Sequence, residues 1–270
     1  MSEAVIAATA RTPIGRADKG SLRDERPDDM AAQVVQAVLD SLPQLEGVPV
    51  DDLLLGCGSP GGEQGFNMAR VVSVLIGRDD IPGVTLTRYC ASSLQTTRMA
   101  MHAIRAGEGE VFVSAGVESV SAYARGESDS WPGTMNPAFD EARERSASQV
   151  AGSTGWNDPR QWKRMPDVYL EMGQTAENVA LHYGVTRADM DAYALASQQR
   201  ARAAAEAGFW QADITPYVRA DGTTVATDDS PRPGTTAEGL AALAPCSART
   251  AASPRATPVR STTEPPRSSS

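Results

Sequence analysis

The chain has 270 residues, 41% of them hydrophobic and 22% charged, which is long and apolar enough to bury a sizeable core and excludes a disordered chain. A formal net charge of -9, with no basic stripe, argues against a nonspecific nucleic-acid or membrane-surface binder, because both partners select for clustered Lys and Arg. Cys57, Cys90 and Cys246 lie far apart, which suits a reducing cytoplasm better than a disulfide framework. Met1 to Arg11 is charged too soon for a secretory signal, and no run reaches the roughly 18 apolar residues of a membrane span. A cytoplasmic location is expected.

In chain order, the apolar run Ala4 to Ala8 reads as a buried strand, ended by the turn residues Arg11-Thr12-Pro13 and Gly15. Pro27 and two following Asp residues suit a helix's first turn, and Met30, Val34, Val35, Val38 and Leu42 continue at helical spacing. Asp52 to Gly56 predicts a second strand, followed by a Gly-rich passage and a helix from Asn67 to Ile76. A third strand, Gly83 to Thr87, stops just before Cys90. A helix with Leu94, Thr97, Met101 and Ile104 on one face then runs to Gly107, and Val111 to Val113 start another strand before Gly116. Alternation of this kind predicts an α/β domain with a largely parallel sheet.

From Ser121 to about Pro166 the pattern gives way to a polar excursion carrying Trp131, Trp156 and Trp162, read as a long functional loop. Helical periodicity returns over Met172 to Tyr183 and again after Thr186, where Thr186 and Asp189 fit a capping box. From Cys246 to Ser270 every residue except Cys246, Val259 and Glu264 is Ser, Thr, Pro, Ala or Arg, so residues 246–270 are expected to be disordered. This tail holds four Arg against one Glu, leaving the first 245 residues at -12. A basic tail on an acidic body suggests a shift of reading frame after about Pro245, with a natural disordered tail as the alternative.

Cys90 stands between a strand end and a helix start, where the first helical N–H groups and the helix dipole favour a thiolate. Most unpaired cysteines are small buried hydrophobes, so position alone leaves both readings open. The surrounding Thr87-Arg88-Tyr89-Cys90-Ala91-Ser92-Ser93-Leu94-Gln95 resembles the acyl-cysteine motif of thiolases. So do Arg11-Thr12-Pro13-Ile14-Gly15, Ala115-Gly116-Val117-Glu118-Ser119, Met172-Gly173-Gln174-Thr175-Ala176-Glu177, Phe209 to Pro216 and Arg232-Pro233-Gly234-Thr235-Thr236, in the expected order over Met1 to Pro245.

That resemblance implies a thiolase-like layered α/β fold, of which this chain carries the N-terminal half. Residues 1–120 would form the core with the nucleophile, 121–245 an inserted loop (lid) domain and return segment, and 246–270 the tail. It implies acyl transfer between 3-ketoacyl-CoA or acetyl-CoA and CoA through a thioester on Cys90, in fatty-acid or sterol side-chain degradation. Coenzyme A is then a substrate and no cofactor is needed. Arg232 matches a family arginine near the nucleotide of CoA, and Met172 a methionine of the pantetheine channel; a solvated loop arginine and a core methionine are the alternatives. Glu171 stands where many short-chain thiolases have histidine, and Thr87 where many have asparagine, which puts short-chain specificity in doubt.

The family's activating histidine, second cysteine and oxyanion donors come from its second half. Here the only histidines are His102 and His182, neither in a Gly-His-Pro setting, and there is no late Cys-x-Gly. The isolated chain is therefore expected to be nearly inactive. An intact version would be a homo-oligomer. The competing function is a noncatalytic acyl-CoA-binding or regulatory subunit, pairing with a full-length relative through its sheet edge.

Overall fold

A computed structural model describes residues 3–125, 133–152 and 157–244, grouped into two compact units. Trp131, Trp156 and the 246–270 tail lie outside the described residues.

The first unit comprises Met1–Asp129 and Gly208–Ser230. Helix α1 spans Pro27–Asp40, with Pro27 at its first position and Asp28 and Asp29 in the first turn, where acidic side chains meet the positive end of the dipole. Strand β1, Asp52–Gly56, leads through the Gly-rich turn to helix α2, Met68–Leu75. Strand β2, Gly83–Leu86, leads through a 3-10 turn at Tyr89–Ala91 into helix α3, Ser92–Ala106, which Gly107 ends in a left-handed conformation. Strand β3 is Phe112–Gly116. The three strands form a parallel sheet in the order β2-β1-β3, with Leu54 opposite Val84 and Ser114.

Period-2 alternation divides β1 between two layers. Leu53, Leu55 and Cys57 join Ala31, Ala32 and Val35 of α1 and Met68, Ala69 and Val72 of α2 in one buried cluster. Gly56 faces α3 instead, where a Cβ would lie 2.7 Å from the Ser92 carbonyl carbon and the Ser93 nitrogen. A Cβ on Gly116 would overlap the Ser93 Oγ. The two strand-end glycines therefore admit the first turn of α3 close against the sheet.

On the far side of the sheet Asn67, left-handed at φ 51° ahead of α2, acts as a short stand-in for a fourth strand. Its Nδ2 donates to the Gly83 carbonyl at 2.8 Å, and its Oδ1 accepts from the Thr85 amide at 2.9 Å, satisfying part of the outer edge of β2.

Two sequence expectations fail in this unit. Residues 4–8 form no strand and pair with none among the described residues, and Val5 and Ile6 are about three-quarters exposed at 76% and 75%. Apolar alternation gives a segment a strand's preference; a ladder also needs a neighbour's hydrogen bonds, and the only bridge nearby among the described residues joins Arg11 to Ile214. The other failure is the face of α3. Ser92, Thr96 and Ala100 are buried, while Leu94 is 73% exposed and Met101 and Ile104 are half-buried. Close approach to Gly56 and Gly116 demands small side chains, so steric fit overrides hydrophobicity in choosing the inner face.

The returning segment docks on Arg11, whose amide donates to the Asp213 carbonyl at 2.9 Å and whose guanidinium pairs with both oxygens of Asp228 at 2.8 and 2.9 Å. It then forms a short hairpin of β4, Tyr217–Val218, and β5, Thr224–Val225, with Tyr217 and Val225 packed on Leu22 and Met30.

The second unit comprises Ser130–Ala207 and Pro231–Ser270. It contains α4, Asp140–Gly152; α5, Met172–Tyr183; α6, Arg187–Glu206; and α7, Ala237–Ala241. Helix α4 lies within the stretch the sequence marks as loop. Its first nine residues, Asp140 to Ser148, include only two apolar side chains, both alanine, so it carries no apolar stripe to betray a helix. Intrinsic propensity and the exposed Arg143–Asp140 and Arg145–Glu141 pairs act instead. The capping box of α6 is present, with the Asp189 amide donating to the Thr186 Oγ1 and the Thr186 amide to the Asp189 Oδ2. Arg187 anchors α7 by donating to the Leu240 and Leu243 carbonyls while paired with Asp191.

Candidate active site

Cys90 occupies the 3-10 turn between the C-terminal end of β2 and the first residue of α3, and it is exposed. The turn opens on Tyr89 at φ 48°, an uncommon conformation for a bulky residue that must be held by its surroundings. Two hydroxyls hold it. The buried Ser92 Oγ accepts from the Arg88 amide at 2.8 Å and donates to the Tyr89 carbonyl at 2.7 Å. The Thr87 Oγ1 accepts from the Tyr89 amide at 3.3 Å and donates to the Gly58 carbonyl at 2.9 Å. Behind Gly58 stands Glu118. Its carboxylate accepts from the Gly58 amide at 2.5 Å, the Gln64 Nε2 at 3.0 Å and the Tyr123 hydroxyl at 3.1 Å. Gln64, itself buried, accepts the Ser119 amide at 2.6 Å.

The second cysteine of this unit behaves differently. Cys57 is buried in the α1–α2 cluster with its Sγ 3.9 Å from each Glu118 oxygen. Burial, reinforced by the Glu118 charge, pushes its thiol up to about 12, so it stays protonated near neutral pH. Cys57 is a packing residue, as its place after a strand suggests.

His102 lies on α3, ten residues beyond Ser92, or roughly 15 Å along the helix axis at about 1.5 Å per residue. It lines a depression of about 460 Å³ with Asp51, Asp52, Met99, Glu108 and Phe112, at the start of β1 rather than beside Cys90. His182 lies near the end of α5, edge-on to Tyr183 at 4.8 Å. Among the described residues no group of three or more His, Cys, Asp or Glu is arranged to hold a metal ion, and no helix is long and apolar enough to cross a membrane.

Cys90 belongs to the first unit, and Met172 and Arg232 belong to the second. Met172 opens α5 and is 73% exposed, unlike a core methionine. Arg232 is exposed on a loop tied to α6, its amide donating to the Gln198 Oε1 at 2.8 Å and its carbonyl accepting from the Thr235 hydroxyl at 2.8 Å. The sequence places Thr87, Ser92 and Glu118 in motifs without giving them roles, and it gives no hint of Gly58 and Gln64. Hydroxyls three residues before and two after a candidate nucleophile were the available signal.

The profile of the "Thiolase, N-terminal domain" family matches residues 4–252. A beta-ketoadipyl-CoA thiolase of Pseudomonas aeruginosa is 40% identical over 249 residues, covering 90% of this chain and 59% of the relative. A 3-ketoacyl-CoA thiolase of Bacillus subtilis is 36% identical over 259 residues, covering 91% and 59%. A 3-oxoadipyl-CoA/3-oxo-5,6-dehydrosuberyl-CoA thiolase of Escherichia coli K12 is 36% identical over 248 residues, covering 90% and 59%. The chain thus spans about 59% of the length of these relatives. With the nucleophile turn and its flanking motifs, the match over residues 4–252 means that this chain belongs to the thiolase family.

Proposed function

We propose that the chain supplies the acyl-accepting half of a thiolase-type acyl-CoA C-acyltransferase. The Cys90 thiolate attacks the C3 ketone of a 3-ketoacyl-CoA, the C2–C3 bond breaks, and C2 takes up a proton to leave as acetyl-CoA. The acyl group, held as a thioester on Cys90, then passes to the sulfur of a second CoA, whose proton is returned to a base. The observation that carries this reading is Cys90 itself: exposed, on a clamped left-handed turn at the strand ends, directly ahead of a helix N-terminus. Met172 and Arg232 are assigned to CoA, at the pantetheine and nucleotide ends; the exposure of both side chains supports this. Substrates are 3-ketoacyl-CoAs of fatty-acid or sterol side-chain degradation, and the relatives named for β-ketoadipyl-CoA add acyl chains ending in a carboxylate.

Proton delivery to C2 requires an acid that neither the Cys90 turn nor His102 supplies, so the chain alone accepts an acyl group without turning over. An intact version is assigned to a homo-oligomer. The second reading, a noncatalytic acyl-CoA-binding subunit pairing with a full-length relative, draws on the outer edge of β3, which pairs with no strand among the described residues.

The test is incubation with acetyl-CoA, whose acetyl group passes to the Cys90 sulfur with release of CoA and needs no proton at C2, followed by an acid quench and peptide mass mapping. One acetyl group on Cys90, absent from Cys90→Ala, is expected. No adduct at millimolar acyl-CoA would sink the acyl-acceptor reading, and sustained thiolysis by the purified chain would overturn both the predicted inactivity and the noncatalytic reading.

A further inference from the structure

Thr87 lies three residues before Cys90, and its hydroxyl does two things at once. It accepts the amide hydrogen of Tyr89, the left-handed residue directly before the nucleophile, and it donates to the carbonyl of Gly58. Gly58 is held in turn. Its amide donates to Glu118, and a Cβ there would lie 2.6 Å from the Glu118 Oε2, so a side chain at position 58 would displace the carboxylate from the place it now holds. Glu118 is fixed by Gln64, which also donates to the Ser59 carbonyl, and by Tyr123. A continuous relay thus runs from the end of β3 through the turn after β1 to the turn after β2: Glu118, Gly58, Thr87, Tyr89.

We infer that Thr87 is a positioning residue for Cys90, holding Tyr89 in its left-handed conformation through this relay, with Glu118 as the anchor. A hydroxyl is suited to the task because one oxygen can accept from one strand's turn and donate to the next, which a methyl group cannot do. Loss of the hydroxyl removes the Thr87 bond and leaves the Ser92 bond to the Tyr89 carbonyl, so Tyr89 is held less firmly, and relaxation there re-aims the next residue, Cys90.

The effect on chemistry rests on the acyl-acceptor reading; the effect on the turn does not. The experiment therefore uses two readouts on the full chain, comparing wild type with Thr87→Val, Thr87→Ser and Glu118→Gln. The first is hydrogen–deuterium exchange of peptides spanning Arg88 to Ser93. The second is the rate of Cys90 acylation as a function of acetyl-CoA concentration, a thioester exchange that releases CoA and needs no proton at C2. The expected result is faster exchange across the turn in Thr87→Val, and a maximal acylation rate lower by about tenfold, with the half-saturating concentration nearly unchanged. Thr87→Ser should restore both. Glu118→Gln, which keeps one acceptor oxygen, should fall between. Unchanged exchange in Thr87→Val overturns the inference. So does faster exchange with an unchanged acylation rate, or a Thr87→Ser variant as impaired as Thr87→Val. If wild-type Cys90 takes up no acyl group, the acyl-acceptor reading fails instead, and exchange in the Val and Ser variants still decides whether Thr87 holds the turn.

Discussion

Replacing Gly56 by alanine tests whether close approach of α3 to the sheet sets the position of the nucleophile turn. The new Cβ would lie 2.7 Å from the Ser92 carbonyl carbon and the Ser93 nitrogen and 2.8 Å from the Ser92 Cβ, about 0.8 Å inside the 3.5 Å at which carbon atoms reach favourable contact. Two of these atoms are backbone in the first turn of α3, so no flexible side-chain end can swing away. The helix must lift or the strand must bend. Overpacking of this kind costs about 2 kcal/mol, which for a chain of this size lowers Tm by roughly 4–8 °C. Thermal melts followed by far-UV circular dichroism would measure it, with Gly234→Ala as the control, since a Cβ there meets nothing within 4 Å. Because Ser92 also clamps Arg88 and Tyr89, the same variant should acylate more slowly at Cys90. A Gly56→Ala protein that melts within about a degree of wild type would refute the packing argument, since the expected loss is several times larger.

Three further predictions concern titrating groups. The Arg11 guanidinium, with the Ile14 amide, holds the Asp228 carboxyl below the usual carboxylate range, against the opposing effect of burial. A depressed value contributes stability that is full above about pH 4 and is lost as pH falls through the lower folded value, so Asp228→Asn should lower Tm at pH 7 and converge on wild type as the carboxyl protonates in acid. Asp52 is the opposite case. Burial pushes its carboxyl up and its Oδ1 is buried without a hydrogen-bond partner, so the charged form is disfavoured once pH rises above about 4; Asp52→Asn should raise Tm at pH 7 and lose that advantage in acid. Cys57, pushed up to about 12, should resist iodoacetamide at pH 8 in the folded chain and react only after urea, while Cys90 labels without denaturant; peptide mapping of Cys57 labelled in the native state would refute its burial.

Where one local interaction decides an element, the sequence carries it. The capping box at Thr186 and Asp189 starts α6, the Pro27-Asp28-Asp29 sequence starts α1, and β1 spans the predicted Asp52 to Gly56. Two of the failures share a cause: each depends on what stands opposite. Ala4 to Ala8 has the composition of a strand, yet no described strand lies beside it to form a ladder. Leu94 of α3 turns outward because Gly56 and Gly116 bring Ser92 and Ser93 close against the sheet, with Thr96 and Ala100 buried further along the same helix. Helix α4 escapes because its pattern has no apolar face to detect.

The same distinction runs through the candidate site. Cys90 is legible because a nucleophile's setting, a strand end followed by a helix start, is local. Its support is not local: Gly58 precedes it by 32 residues and Glu118 follows by 28, and only the parallel pairing of β1 with β2 and β3 brings their ends to one place. Residue type misleads here as well. By the family resemblance, threonine at position 87, where many short-chain thiolases have asparagine, puts short-chain specificity in doubt. In the structure the hydroxyl engages two backbone groups, the Tyr89 amide and the Gly58 carbonyl. A residue so engaged acts on the substrate only through the backbone it holds, so substitution there should change how fast Cys90 reacts more than which acyl-CoA it accepts.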